Sequence, residues 1–373
     1  MNKIYLDNAA TTPLRQEVID EMMLVLKENF GNPSSTHSFG RSAKTVLETS
    51  RKSIAKRIGA NAQEIIFTSS ATEATNWILK NAVSELKVER IITSKVEHHA
   101  TLYTVKNLQK EYGIEVDFVS ILECGSVDVT HLVDLLSKGG KTLVTLMHVN
   151  NEIGSVLDIE KVGRICHQHH ALFHCDTVQS IGKTEINLQE LPVDFIVASA
   201  HKFHGPKGAG FAFVKKGIIM QPMFYGGEQE KGLRAGTEAV HQIAGMAKAL
   251  ELSYEFLTSE RSCISDLKDY CQKQLIVNFP DIKINGKDTF YNILNVLLPF
   301  SEDKTAMILF NLDMKGIAVS RGSACQSGSV KPSHVLAEIL TEDDINKPSL
   351  RISFSHYNTK EDIDSLIDSL KGI

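Results

Sequence analysis

Between residues 62 and 215, short apolar runs alternate with stretches of helical spacing. The runs are Glu64–Thr68, Arg90–Thr93, Glu115–Val119, Thr142–Leu146, Ala171–His174 and Val193–Val197. Each is four or five residues long and rich in β-branched or aromatic side chains, the pattern of strands buried on both faces. Between two of them, Ile159, Val162, Ile165 and Cys166 follow helical spacing, with Asp158 placed as an N-cap. The alternation predicts the α/β class, a mostly parallel sheet with helices on both faces. In such sheets ligands collect beyond the carboxyl ends of the strands. The residues that follow each run are therefore the ones to inspect.

Residues 238–276 read as one long helical connection, after which the pattern changes. Residues 282–356 hold isolated apolar runs, Ile293–Leu298 and Leu350–Phe354, and a Ser/Gly-rich loop. Ile363, Leu366, Ile367 and Leu370 line one face of a closing amphipathic helix. A second, smaller α+β domain fits this stretch. The first ~15 residues and a helix near 44–58 are expected close to the domain junction.

Composition narrows the class without naming a function. Of 373 residues, 42% are hydrophobic and 23% charged, which excludes disordered, collagen-like and coiled-coil chains. The net charge of −5 offers no basic field for nucleic acid or an anionic membrane. No apolar stretch approaches the ~18 residues of a membrane span. Ile4, Tyr5 and Leu6 are too few for a signal-peptide core. The six cysteines are scattered without a C-x-x-C pair, as expected of reduced thiols. A cytoplasmic protein with no direct nucleic-acid or membrane partner is expected.

Four windows carry the main candidate chemistry, three at strand ends and one in a loop. In Val197–Gly208, Ser199, His201 and Lys202 precede a turn imposed by Gly205, Pro206 and Gly208. A lysine in isolation is usually a solvated charge. The turn instead puts this amine at the ligand edge of the sheet, where it can bond a carbonyl cofactor. Asp176 ends another run at the same edge; it is either a cap for the next helix or the partner of a pyridinium nitrogen. Gln179 follows within reach of a ring oxygen. Thr68–Asn76 places small hydroxyl residues between a strand and the helix that continues through Trp77, a phosphate site or plain N-capping. His98 is polar lining or a ring-stacking group, and His148–Gly154 occupies an equivalent edge position. In Ser320–Ser329, Cys325 is the one cysteine set among small polar neighbours, which predicts an exposed loop and a reactive thiol. Arg351 is a surface charge or a bidentate grip for a carboxylate. The histidines at 167, 169, 170 and 174 cross from a helix end into a strand, a poor geometry for one metal ion.

From Tyr5–Pro13 to Arg351–Ser355, these motifs resemble the pyridoxal-phosphate-dependent cysteine desulfurases, specifically the NifS-like, long-loop group of the class-V aminotransferases. The resemblance implies fold type I, with a mostly parallel seven-stranded sheet and a smaller α+β domain. It implies an N-terminal segment over 1–15, a cofactor domain over 16–255 and a small domain over 256–373, in a homodimer. Lys202 would bind pyridoxal 5'-phosphate, Asp176 would pair with its ring nitrogen, and Gln179 would contact its oxygen. His98 would stack on the ring and act as an acid. Ala71, Thr72, Ser199, Ala200 and His201 would surround the phosphate, joined by Thr237 from the partner subunit. Asn151 and Arg351 would hold the carboxylate of L-cysteine, Asn151 also touching the cofactor. Cys325 would take the sulfur as a persulfide and transiently ligate a nascent iron–sulfur cluster. The sulfur acceptor is expected to be an iron–sulfur scaffold, a tRNA-thiolating enzyme or a thiamine-pathway carrier. Ala200 departs from the glycine common there, and the chain stops short of the tail with which longer relatives dock a scaffold. The rival readings are another fold-type-I enzyme, an aminotransferase or a cysteine/selenocysteine lyase, and a non-catalytic sulfur-handling docking protein.

Overall fold

The computed structural model describes residues 3–322 and 333–372. The chain opens with β1 (Ile4–Tyr5), α1 (Gln16–Glu28) and α2 (Ser38–Arg57). Strands and helices then alternate as β2 (Ile65–Thr68), α3 (Ala71–Ser84), β3 (Arg90–Ser94), α4 (His99–Tyr112), β4 (Glu115–Val119), α5 (Val129–Leu136), β5 (Thr142–Met147), α6 (Ile159–Gln168), β6 (Leu172–Asp176) and β7 (Phe195–Ser199). An eighth strand, β8 (Gly210–Val214), completes a seven-stranded sheet of order β2-β8-β7-β6-β5-β3-β4. Only β8 runs against the others.

The side-chain period of two divides the sheet between two cores. Ile196 and Ala198 join α2, α6 and α7 (Val240–Glu255) on one face through Leu47, Ile54, Val162 and Leu250. Phe195 and Val197 join α3 and α4 on the other through Trp77, Ile78, Val105 and Leu108. Strand order reverses beside β3 and β5, because β4 lies outward of β3 while β5, β6 and β7 proceed the other way. A crevice beyond those carboxyl ends is where this topology places a ligand.

The expected continuous helix over 238–276 is two helices, α7 and α8 (Leu257–Asn278), parted at Phe256. The break lets the chain change partners. Ile243, Met246 and Leu250 of α7 pack on the large sheet, whereas Ile264, Leu267, Cys271 and Leu275 of α8 enter a separate core. That core covers an antiparallel sheet of β9 (Lys283–Asn285), β10 (Ile293–Leu297) and β12 (Ser349–Ser353), and includes α9 (Ile308–Met314) and α10 (Lys360–Lys371). β11 (Ile317–Ala318) pairs in parallel with β1. The N-terminal segment thereby starts against the small sheet and then crosses to the large one, where the amide of Thr12 donates to the His201 carbonyl at 2.9 Å. The helix expected near 44–58 at the domain junction is α2, which starts six residues earlier at Ser38 and packs on the large sheet.

Candidate active site

A cavity of about 230 Å³ opens at the carboxyl edge of the large sheet. Ala71, Thr72, His98, Asn151, Asp176, Gln179, Ser199, His201, Lys202 and Arg351 all line it. Ala200 does not. Its methyl group is fully buried against the Gly205 turn, and its amide is spent on the Ala209 carbonyl. Thr237 also lies elsewhere: it borders a second cleft together with Ser69, Arg234 and Gln242. Cys325 lies outside the described residues.

The cavity floor is built by strand ends. β7 stops at Ser199 and the chain enters a 3₁₀ turn over Ala200–Lys202. Lys202 Nζ donates to the carbonyls of Ala9 and Ala10 at 2.7 and 2.8 Å. The amine is thus held by the N-terminal segment within the cavity wall. Ser199 Oγ accepts the Ala71 amide at 2.8 Å, tying the end of β7 to the first turn of α3. That helix begins at Ala71, earlier than Trp77, and Ser70 caps it by accepting the Glu73 amide. The close approach of the two elements requires Gly210, where a Cβ would come within 2.5 Å of the Ala198 carbonyl.

Asp176 ends β6 beside Met147 of β5 and is only 7% exposed. Its Oδ1 accepts the Val178 amide at 3.0 Å, and no α-helix follows for it to cap. Burial pushes this carboxyl up to about 6, against the Val178 hydrogen bond and the Lys202 charge. The carboxylate therefore sits in a place that favours a further positive partner. Gln179 donates to the Ala9 carbonyl at 2.9 Å and accepts from the buried Lys183 at 3.4 Å. Burial and the Lys202 charge draw the Lys183 amine down to about 7.

His98 caps α4, its Nδ1 accepting the Ala100 amide at 3.1 Å. Burial, helped by Lys202 and His334, lowers its pKa to about 4. The ring is neutral at physiological pH, so it presents a flat uncharged face and must gain a proton before acting as an acid. His201 is held down to about 4 for the same first reason, burial. Neighbouring Glu97 is buried and pushed up to about 8, while its Oε1 accepts from Ser94 and the Met147 amide. Burial first, and the Asp176 charge after it, thus disfavour a second negative charge at this spot.

Arg351 is not a surface charge: it is 1% exposed, on β12 of the small sheet. Nη1 donates to the Asn151 carbonyl and Nη2 to Asp7 Oδ1, both at 2.8 Å. Its Nε has no partner among the described residues, leaving donor capacity inside the cavity wall. Arg351 also forms a backbone bridge with Ser320. Two residues later, Gly322 lies so close to Glu152 that a Cβ would come within 2.8 Å of its Oε2. Ser333 Oγ donates to that same oxygen. Both chain ends flanking residues 323–332 are therefore gathered next to Asn151 and Arg351.

Sequence reasoning missed Ala9, Ala10, Thr75, Met147 and Val149 as lining residues. It also missed Glu97 and Lys183 behind them. The Tyr5–Pro13 motif points to the N-terminal segment, but Ala9 and Ala10 carry no polar side chain that would place their carbonyls on Lys202. Among the described residues, no cluster of three metal-ligating side chains exists and no helix is long and apolar enough to cross a membrane.

Comparison with known proteins places the chain among its relatives. The family described as Aminotransferase class-V matches residues 4–366. A cysteine desulfurase IscS of Dictyoglomus turgidum (strain DSM 6724 / Z-1310) is 42% identical over 373 residues, spanning 100% of this chain and 94% of that protein. The putative cysteine desulfurase IscS 1 of Bacillus subtilis (strain 168) is 40% identical, spanning 97% and 96%. A solved structure of a NifS-like protein superposes with a TM-score of 0.91 at 35% identity, covering 100% of this chain and 99% of the other. With its sheet order, its strand-end lysine and aspartate and a match along nearly its whole length, the chain belongs to the class-V aminotransferase family.

Proposed function

We propose that this protein is a pyridoxal-phosphate-dependent cysteine desulfurase that takes sulfur from L-cysteine, releases L-alanine and carries the sulfur as a persulfide on Cys325. The observation that carries the reading is the convergence of Lys202, Asp176 and Arg351 on one cavity from three distant parts of the chain. The residues present fit the cofactor: a buried carboxylate that favours a cationic partner stands in the same cavity as a lysine amine. Lys202 would hold the cofactor covalently, Asp176 would pair with its ring nitrogen and Gln179 would contact its oxygen. Ala71, Thr72, Ser199 and His201 would serve its phosphate, at the N-terminus of α3. When bound, pyridoxal phosphate supplies the electron sink that makes a substrate Cα proton removable.

The chain's own groups supply the rest. Arg351, with Asn151, orients the substrate carboxylate. Lys202 Nζ, freed once the substrate amino group has replaced it, receives the Cα proton as general base. His98, neutral beforehand, takes up and returns a proton near the substrate. The Cys325 thiolate attacks the substrate sulfur. A sulfur–sulfur bond forms, the carbon–sulfur bonding pair stays with the substrate carbon, and that carbon is protonated to give the methyl group of alanine. Ser320 is bridged to Arg351, and Cys325 lies five residues on, within about 18 Å of extended chain. In this reading two copies pair so that the exposed Thr237 of each serves the partner's phosphate site, in the cytoplasm. The persulfide passes to an iron–sulfur scaffold or a thiolation enzyme. Product analysis separates this from an aminotransferase: L-cysteine alone, with a thiol reductant, should yield alanine and sulfide. A requirement for a keto-acid co-substrate, with no alanine formed, would contradict it.

Asp176 provides a pH test. Its folded pKa is raised, so the folded apoprotein holds this proton more tightly than the unfolded chain. Its contribution to stability therefore falls as pH rises from about 4 to about 6 and stays low above that. A shift from 3.8 to about 6 corresponds to about 3 kcal/mol. Cofactor-free Asp176→Asn should gain up to this amount over cofactor-free wild type at pH 7.5, and little below pH 4. The loaded variant should instead bind cofactor more weakly than wild type. Urea titrations at several pH values measure the first difference, and a pH-independent gap would contradict the assignment.

A further inference from the structure

The segment leading to Thr237 is bolted to the large domain at two points. At the first, the backbone of Glu230 adopts φ +48° and its carboxylate covers the open edge of β2. Oε2 accepts the Phe67 amide at 2.8 Å. Arg51 of α2 grips both carboxylate oxygens at 2.7 and 2.6 Å and also donates to the Ile65 carbonyl at 3.0 Å. This ion pair is buried, with Arg51 3% and Glu230 4% exposed, and it satisfies edge groups that β8 cannot reach.

The second point lies nearer the hydroxyl. Glu73, in the first turn of α3, accepts the Ser69 amide at 2.9 Å and the Ser69 hydroxyl at 2.5 Å. The same carboxylate accepts Arg234 Nε at 2.9 Å and Nη2 at 3.3 Å. The Glu73 and Arg234 side chains are 9% and 26% exposed, and the guanidinium lies 5.8 Å from the centre of the Phe224 ring. Beyond Arg234 the segment keeps one exposed bond, from the Gly236 amide to Gln229 Oε1 at 3.2 Å. Gly236 is exposed at φ +105°, a conformation that only glycine enters freely, and Thr237 is exposed. Arg234 is therefore the last side chain anchored to the large domain before the Thr237 hydroxyl.

We infer that Arg234, gripped by Glu73, is a positioning residue that fixes where Thr237 is presented to the phosphate-binding site of a second copy of this chain. The inference rests on the partner-facing reading of Thr237 given above. One consequence is geometric: the Ser69–Thr72 turn, which serves a protomer's own phosphate site, and the hydroxyl lent to its partner hang on a single carboxylate. Positional freedom at Thr237 raises the ordering cost of binding, which a fixed Arg234 removes beforehand.

The test is a double-mutant cycle read by cofactor affinity, with pyridoxal phosphate titrated into the full-length apoenzyme. Trp77, the single tryptophan of the chain, lies on α3 just behind the phosphate turn and reports binding by quenching. Arg234→Gln is expected to weaken binding on the order of tenfold, as loss of a charged hydrogen bond would. Arg234→Lys should recover part of the loss. In a Thr237→Ala background, Arg234→Gln should add little, because it acts through the missing hydroxyl. If Arg234→Gln proves unstable to heat, Arg234→Met carries the same cycle while leaving Glu73 on Ser69. If Thr237→Ala alone leaves affinity unchanged, the partner-facing reading falls. If Thr237→Ala weakens binding while Arg234→Gln is neutral or fully additive with it, that reading stands and this inference is overturned.

Discussion

Lys202→Ala is expected to stop turnover and to leave no cofactor attached to the chain after borohydride reduction. On the proposed roles, the variant removes the covalent anchor and the base at once. Loss of the proton transfer alone is worth roughly 10²–10⁴-fold. The amine is also a fixed part of the wall, donating to the Ala9 and Ala10 carbonyls. Its removal therefore loosens the N-terminal segment at the point where that segment closes the cavity. Small primary amines added to the variant should restore part of the proton-transfer rate but not the anchor. Retained turnover in Lys202→Ala, or a reduced adduct on another lysine such as Lys183, would contradict the assignment.

The second large effect is expected at Cys325. Cys325→Ala should keep cofactor binding and exchange of the substrate Cα proton with solvent, since Lys202, Asp176 and Arg351 remain. Sulfur transfer should fall by at least about 10²-fold, because an external thiol must replace one held close to the substrate. Washout of Cα deuterium from labelled L-cysteine measures the early step, and transfer of sulfur to an acceptor measures the late one. The two should separate cleanly. Loss of both together would make Cys325 a structural residue, and loss of neither would favour a lyase that expels sulfide directly.

Much of this site could be read from the sequence, for a physical reason. Strand runs that are buried on both faces are short and apolar, so their ends are visible as abrupt changes of composition. Lys202 and Asp176 stand at such ends, and the Gly205–Gly208 turn behind Lys202 marks a chain reversal. The Ser and Thr residues ahead of α3 signal a helix start, although the helix takes up Ala71 sooner than its apolar residues suggest. β8 is hard to see in the sequence, because its Gly210–Val214 run follows that turn closely and belongs to no βαβ alternation. The break at Phe256 leaves no local mark. It exists because α7 and α8 serve different cores.

What remained hidden depends on contacts between residues far apart in the chain. The Ala9 and Ala10 carbonyls meet Lys202 across more than 190 positions, and nothing in an Ala-Ala pair announces that. Arg351 could equally have been a surface charge until β12 placed it beneath Asp7 and Asn151. Glu97 and Lys183 owe their shifted pKa values first to burial, which no neighbouring residue in sequence encodes.

The most direct test of the account is peptide mapping of the holoenzyme after one equivalent of L-cysteine, with alanine quantified in the same sample. One extra sulfur on the peptide containing Cys325, matched mole for mole by alanine, is the predicted result. Alanine released with that peptide unmodified, or with the sulfur on the exposed Cys263 instead, would contradict it.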